Sequence, residues 1–197
     1  MRNIREAQKT RETKETSINI YLNLDNYKDP SISTGIPFFD HMLTQIAVHS
    51  SFTLELKAKG DIEVDFHHTV EDTGIVFGQV LNEALNKKVG IARYGFALLP
   101  LDETLIEVAL DISGRAFLNY DVQIERDKIG NFDTELIYEF LHAFVINSNV
   151  TLHITKRYGK NSHHIAEAIF KGLAHSLKNA VKITDNKIPS SKGLIGQ

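Results

Sequence analysis

The chain has 197 residues and 42% hydrophobic content, enough for one sizeable core and ordinary for a globular protein. Its 22 basic and 25 acidic residues leave a net charge of −3, which gives no global pull toward nucleic acid or anionic lipid, so neither is an expected partner. Without cysteine there is neither a disulfide scaffold nor a thiolate metal site, and no apolar run approaches the roughly 20 residues that span a bilayer.

The opening MRNIREAQKTRETKET is charged and lacks the apolar middle of a secretion signal, so cytoplasmic residence is the expectation. ETSINIYLNLD (15–25) follows, with Ile18, Ile20, Leu22 and Leu24 two apart, the period of a half-buried strand. A helix fits 36–49, where PFFDHMLTQIAVHS sets His41, Gln45 and His49 at i, i+4 and i+8 as one polar stripe. Strands fit 52–58 and 61–66. HHTVE (67–71) then opens a helical pattern through Val70, Phe77, Val80, Leu81, Ala84 and Leu85, weakened by Gly74 and Gly78. Farther on, ETLIEVALDIS (103–113) alternates through Ile106, Val108, Leu110 and Ile112. Strands fit 116–124 and 150–157, and a helix fits 134–147. HHIAE (163–167) opens a stronger helical stripe, from Ile165 to Val181.

Two features therefore occur twice in one order. The HH pairs stand 96 residues apart, close to half the chain, and each follows a strand that begins Glu-Thr. Glu15 precedes His67 by 52 residues and Glu103 precedes His163 by 60, so the halves differ by a loop length. The sequence predicts an α+β unit built twice, in pseudo-repeats of roughly 1–95 and 96–197. No Pro/Ser-rich linker divides them, and one domain is expected.

On a helix, either histidine of an HHxxE run shares a face with the glutamate, while the two histidines are rotated by about 100° from each other. They therefore point at two different ions rather than converging on one. Imidazole plus carboxylate suits manganese, iron, zinc or nickel. Alone, one HH is more often surface chemistry; two copies in duplicated halves favour metal binding. Arg93, Arg115 and the tail IPSSKG (188–193) add cationic and hydroxyl donors suited to phosphate, which in a chain of net charge −3 suggests a local anion pocket.

The chain also resembles the imidazoleglycerol-phosphate dehydratase family of histidine biosynthesis. The resemblance is carried by TKET (13–16), FFDHMLTQIAVHS (38–50), DFHHTVEDTGIVFGQ (65–79), RYGFALLPLDET (93–104), DISGR (111–115), TLHI (151–154), YGKNSHHIAEAIFKGLA (158–174) and IPSSKG, in the family's order. It implies the monofunctional, metal-dependent carbon–oxygen lyase, with helices held between two four-stranded mixed sheets in the manner of ribosomal protein S5 domain 2. Two manganese ions per active site and a 24-subunit shell, with neighbours completing each site, are implied as well. The implied metal ligands are His41, His67, His68, Glu71, Glu139, His163, His164 and Glu167. Glu139 falls where many members carry histidine, fourteen residues before His153, and His142 is the alternative on the same helical face. The implied catalytic set is Glu15, His67 and His163. Substrate contacts carry over to Glu15, Gln45, His49, Arg93, Arg115, Lys171, Ser190, Ser191 and Lys192.

The implied reaction converts imidazole glycerol phosphate to imidazole acetol phosphate and water. The C–H to be broken lies beside no carbonyl, so the substrate's own ring is the electron sink. An imidazolate bridging two metals, a diazafulvene-like intermediate and proton removal by Glu15 are what the resemblance and the chemistry jointly imply. A dinuclear phosphoesterase, which would need metals about 4 Å apart where an imidazolate bridge needs a wider separation, and a metal-storing assembly protein, which gives Arg93, Arg115 and the SSK turn no purpose, are the competing readings.

Overall fold

A computed structural model describes residues 4–196. Its alternating segments fold into two four-stranded sheets of one topology. The first contains β1 (Glu6–Glu12), β2 (Thr16–Asn23), β3 (Ser31–Ser33) and β4 (Thr53–Gly60), ordered β1-β2-β4-β3. The second contains β5 (Tyr94–Leu101), β6 (Thr104–Asp111), β7 (Phe117–Asp121) and β10 (Thr151–Tyr158), ordered β5-β6-β10-β7. Only β3–β4 and β7–β10 run parallel, so both sheets are mixed. The second half also inserts a hairpin, β8 (Lys128–Ile129) with β9 (Phe132–Asp133), between its third strand and its first helix.

The inward residues of β2 and β6 are the predicted ones: Ile18, Ile20 and Leu22 in one, and Ile106, Val108 and Leu110 in the other, all buried. Between the sheets lie α1 (Pro37–Ser50), α2 (His67–Leu85), α3 (Leu136–Ser148) and α4 (Ser162–Val181). The helices pair across the duplication: α1 packs on α4 and α2 on α3, while α2 also covers β1 and β2 and α4 covers β5 and β6. Phe140 of α3 is the junction. Its ring meets Phe39 of α1 at 5.4 Å, Phe77 of α2 at 6.4 Å and Phe170 of α4 at 5.5 Å between centroids.

Two sequence expectations change. Residues 61–66 form a turn rather than a strand, although Ile62, Val64 and Phe66 alternate. Ile62 and Val64 are exposed, and among the described residues no strand pairs with them. Gly74 and Gly78 are contact points rather than weak places in α2. A Cβ at Gly74 would lie 2.6 Å from the Phe140 carbonyl oxygen, and one at Gly78 would lie 2.5 Å from that of Phe144. Backbone against backbone admits no side chain there.

Candidate active site

Each HH pair starts a helix, and an Asx residue two positions earlier turns the chain into it. Asp65 Oδ1 accepts from the His67 N–H at 2.8 Å, and Asn161 Oδ1 accepts from those of His163 and His164 at 2.9 and 3.4 Å. Such side-chain acceptors satisfy the unpaired first N–H groups of a helix and fix where its first turn begins. Within each pair the rings diverge, with interplanar angles of 89° for His67–His68 and 87° for His163–His164. One histidine of each pair faces the glutamate four residues on, and the other faces a loop.

His163 Nε2 lies 3.0 Å from Glu167 Oε2, and His41 Nε2 reaches the same oxygen from α1 at 3.4 Å. Among the described residues this is the one group of three imidazole or carboxylate donors whose ligating atoms all lie within 4.8 Å of one another. Burial would raise the Glu167 carboxyl. The Lys171 ammonium at 2.6 Å, together with His163 and His41, outweighs it and holds that carboxyl down at about 2. Two imidazole nitrogens facing an ionised, half-buried carboxylate fit a divalent first-row metal. In the other half the matching pair is looser, with His67 Nε2 at 3.9 Å from Glu71. Glu139 sits half-buried in the first turn of α3, the helix packed on α2. His142 stacks on Tyr138, with ring planes 13° apart.

The outward histidines have carboxylate partners. His164 Nδ1 is 2.8 Å from Glu103 Oε2, and Glu103 Oε1 accepts from the backbone N–H of Asn161 at 2.8 Å. These bonds hold the Glu103 carboxyl at about 2 and raise the His164 imidazole. His68 Nδ1 is 3.1 Å from Asp61 Oδ2, which raises its pKa too, while Glu15 stands 4.0 Å away, exposed. With Nδ1 engaged, Nε2 of each ring is the nitrogen left for a ligand, and that of His164 lies 3.8 Å from Asp102 Oδ2.

The polar stripe on α1 faces a similar stripe on α4. Gln45 Nε2 is 3.3 Å from His41 Nδ1, Lys171 binds Glu167, and His49 lies 5.4 Å from the His175 ring. Burial lowers the His49 pKa, and the Lys171 and His175 charges add to that. His163, Glu167, Lys171 and His175 repeat at i, i+4, i+8 and i+12, a signal that also points to His175. Asp61, Asp102 and the role of Glu103 toward His164 carry no such signal, because loops folding back bring them in.

A separate cleft of about 510 Å³ gathers Arg93, Arg115, Ser190, Ser191 and Lys192, with Ser113 and Gly114. Arg93 is clamped there. Its Nε and Nη2 donate to Asp111 at 2.7 and 3.1 Å, and Nη1 donates to the Pro189 carbonyl at 2.9 Å, which ties the SSK turn to the sheet. The Arg93 N–H donates to the carbonyl of Ala180, seventeen residues along α4 from His163. At 1.5 Å per residue the two positions are about 26 Å apart.

A family model described as imidazoleglycerol-phosphate dehydratase matches residues 34–177. A relative of that name from Azorhizobium caulinodans is 54% identical over 196 residues, covering 98% of this chain and all of its own. Another, from Caldicellulosiruptor bescii, is 51% identical over 191 residues, covering 97% of this chain and 98% of its own. The crystal structure of the Staphylococcus aureus enzyme superposes with a TM-score of 0.84 at 42% identity, covering 91% of this chain and 99% of its own. One from Pyrococcus furiosus gives 0.83 at 36%, covering 95% and 100%.

Proposed function

The chain belongs to the imidazoleglycerol-phosphate dehydratase family, hydro-lyases of histidine biosynthesis, and from that premise we propose that it dehydrates imidazole glycerol phosphate at manganese centres shared between subunits. The observation that carries this reading is the convergence of His41 and His163 on one ionised oxygen of Glu167. His67 and Glu71, with Glu139 from the neighbouring helix, make the candidate second set. His68 and His164, each held at Nδ1 by a carboxylate, would serve sites completed by other copies.

Bound manganese would lower the pKa of the substrate ring N–H and so make the ring an electron reservoir. The chain's own residues do the rest. Arg115, Ser190, Ser191 and Lys192 hold the phosphate, with Arg93 fixing their turn as well as adding charge. Lys171 and His49 line the approach from the diol side, and Gln45 steadies His41. Glu15 takes the proton from the side-chain carbon. The carbon beside the ring loses its hydroxyl, and the enol that forms relaxes to the ketone, so the product is the substrate less one water.

The separation of about 26 Å along α4 between His163 and Ala180, which accepts from the Arg93 backbone, supports an assembled site. A ring with a three-carbon phosphate chain spans about 10 Å, the length of some three extended residues, well short of that separation. Phosphate from one subunit's cleft would meet metals of another, in keeping with a closed shell of 24 copies.

Replacing Glu15 by Gln tests the assignment of the base. Metal content and assembly should stay near native, with turnover lowered by roughly 10²–10⁴-fold, the usual cost of losing a general base. Native turnover in that variant would remove Glu15 from the reaction.

A further inference from the structure

We infer that Asp72 is a positioning residue which, with Arg11, Thr13 and Thr16, fixes the loop bearing Glu15 onto α2. The inference rests on the reading of Glu15 as the base. Asp72 follows Glu71 in α2 and is rotated from it by about 100°. It is 7% exposed and belongs to no ligand set proposed above. Buried carboxylates persist only with partners. Here Oδ2 accepts from both the Thr16 hydroxyl and Arg11 Nη1. The chain of bonds continues outward. Thr13 Oγ1 lies 3.2 Å from Thr16 Oγ1 and accepts from the backbone N–H groups of Thr16 at 2.9 Å and Glu15 at 3.1 Å. The backbone at Glu15 is thus tied through three side chains to the helix that begins with His67 and His68.

The second half shows what happens without this device. Thr104 occupies the place of Thr16, but the residue 96 positions after Asp72 is Ala168, which has no acceptor. The Thr104 hydroxyl donates instead to Glu103 Oε1 at 3.1 Å, and Glu103 is turned onto His164. In the first half Asp72 draws the Thr16 hydroxyl inward. Glu15 keeps its carboxylate 4.0 Å from His68 Nδ1, outside hydrogen-bond range. One duplicated scaffold therefore yields a glutamate bound to its histidine in one half and a glutamate available for proton transfer in the other.

The test compares Thr16→Val, Thr16→Ser and Asp72→Asn with Glu15→Gln in assembled, manganese-loaded protein. It reads kcat, KM, metal content and the deuterium isotope effect for substrate labelled at the carbon that loses its proton. Thr16→Val should lower kcat by about 10- to 100-fold, the scale of ångström misplacement, with KM and metal content within about twofold of native. The isotope effect should rise as proton removal becomes limiting, and Thr16→Ser should restore kcat. Native rates in both Thr16→Val and Asp72→Asn would overturn the inference. So would activity lost only in proportion to folded, metal-loaded protein, with an unchanged isotope effect. If Glu15→Gln is impaired while Thr16→Val and Asp72→Asn are both native, the positioning role alone falls. If Glu15→Gln itself turns over normally, the base assignment falls and takes this inference with it.

Discussion

Glu15 and Glu103 occupy equivalent strand starts, and their surroundings give them different work. Glu103 is held by His164 and two backbone N–H groups; Glu15 is exposed beside a histidine that Asp61 already engages. Such carboxylate partners orient an imidazole and strengthen it as a ligand. Glu103→Gln should therefore weaken manganese binding by about 10- to 100-fold in a calorimetric titration. The pH dependence follows from the sign of the shifts. Metal needs neutral imidazole, and the Asp61 and Glu103 bonds raise the His68 and His164 pKa values, so protons compete at higher pH than for an ordinary histidine. Affinity in the native protein should fall as pH drops through those raised values. In Glu103→Gln the His164 contribution to that fall should move to lower pH. In metal-free protein the Glu103–His164 pair stabilises the fold above the ordinary carboxylate range, where Glu103 is ionised. That contribution is lost toward pH 2 as Glu103 protonates, and also as pH rises through the raised His164 value.

At the scale of elements, α2 combines a histidine-bearing first turn with a close backbone approach to α3. A Cβ on Gly78 would lie 2.5 Å from the Phe144 carbonyl oxygen and 2.9 Å from the Ser148 nitrogen, neither of which can rotate aside. Gly78→Ala should cost about 1–3 kcal/mol in urea unfolding. The same substitution on an exposed helix face would stabilise by up to about 1 kcal/mol, so the sign of the change separates the two settings. Propensity reads such a glycine only as a weakness, and sequence cannot show the partner backbone. The strands at 15–25 and 103–113 were legible because each buries one clean face. β1 was not, since its edge position leaves its residues alternately exposed and half-buried. β5 was hidden by Gly95, Pro100 and outward Phe96 and Leu98. Conversely, 61–66 carries strand alternation without a neighbouring strand to pair with. The two HHxxE runs were visible as local spacing. Asp72 and Asp111 act through contacts 18 to 61 residues away along the chain, and Asp61 reaches His68 across the turn before α2, none of which a local pattern announces.

At the scale of the whole molecule, duplication suits the proposed chemistry. Helices of one half pack on helices of the other around Phe140, so two similar histidine-bearing turns are held in one rigid core. The anion cleft lies at the far end of α4 from His163, which makes single copies incomplete under the proposed reaction. Mixed assemblies test that division. Subunits with His163→Ala and subunits with Arg115→Ala, each inactive alone, should regain a fraction of native turnover when dissociated and reassembled together; no recovery in well-formed mixed particles would place both groups in the same copy's site. The most direct measurement concerns the metals themselves. Anomalous diffraction at the manganese edge, from crystals of protein purified without chelators, should locate one ion against His41, His163 and Glu167 and a second against His67 and Glu71. The absence of any cation beside those side chains would contradict the account.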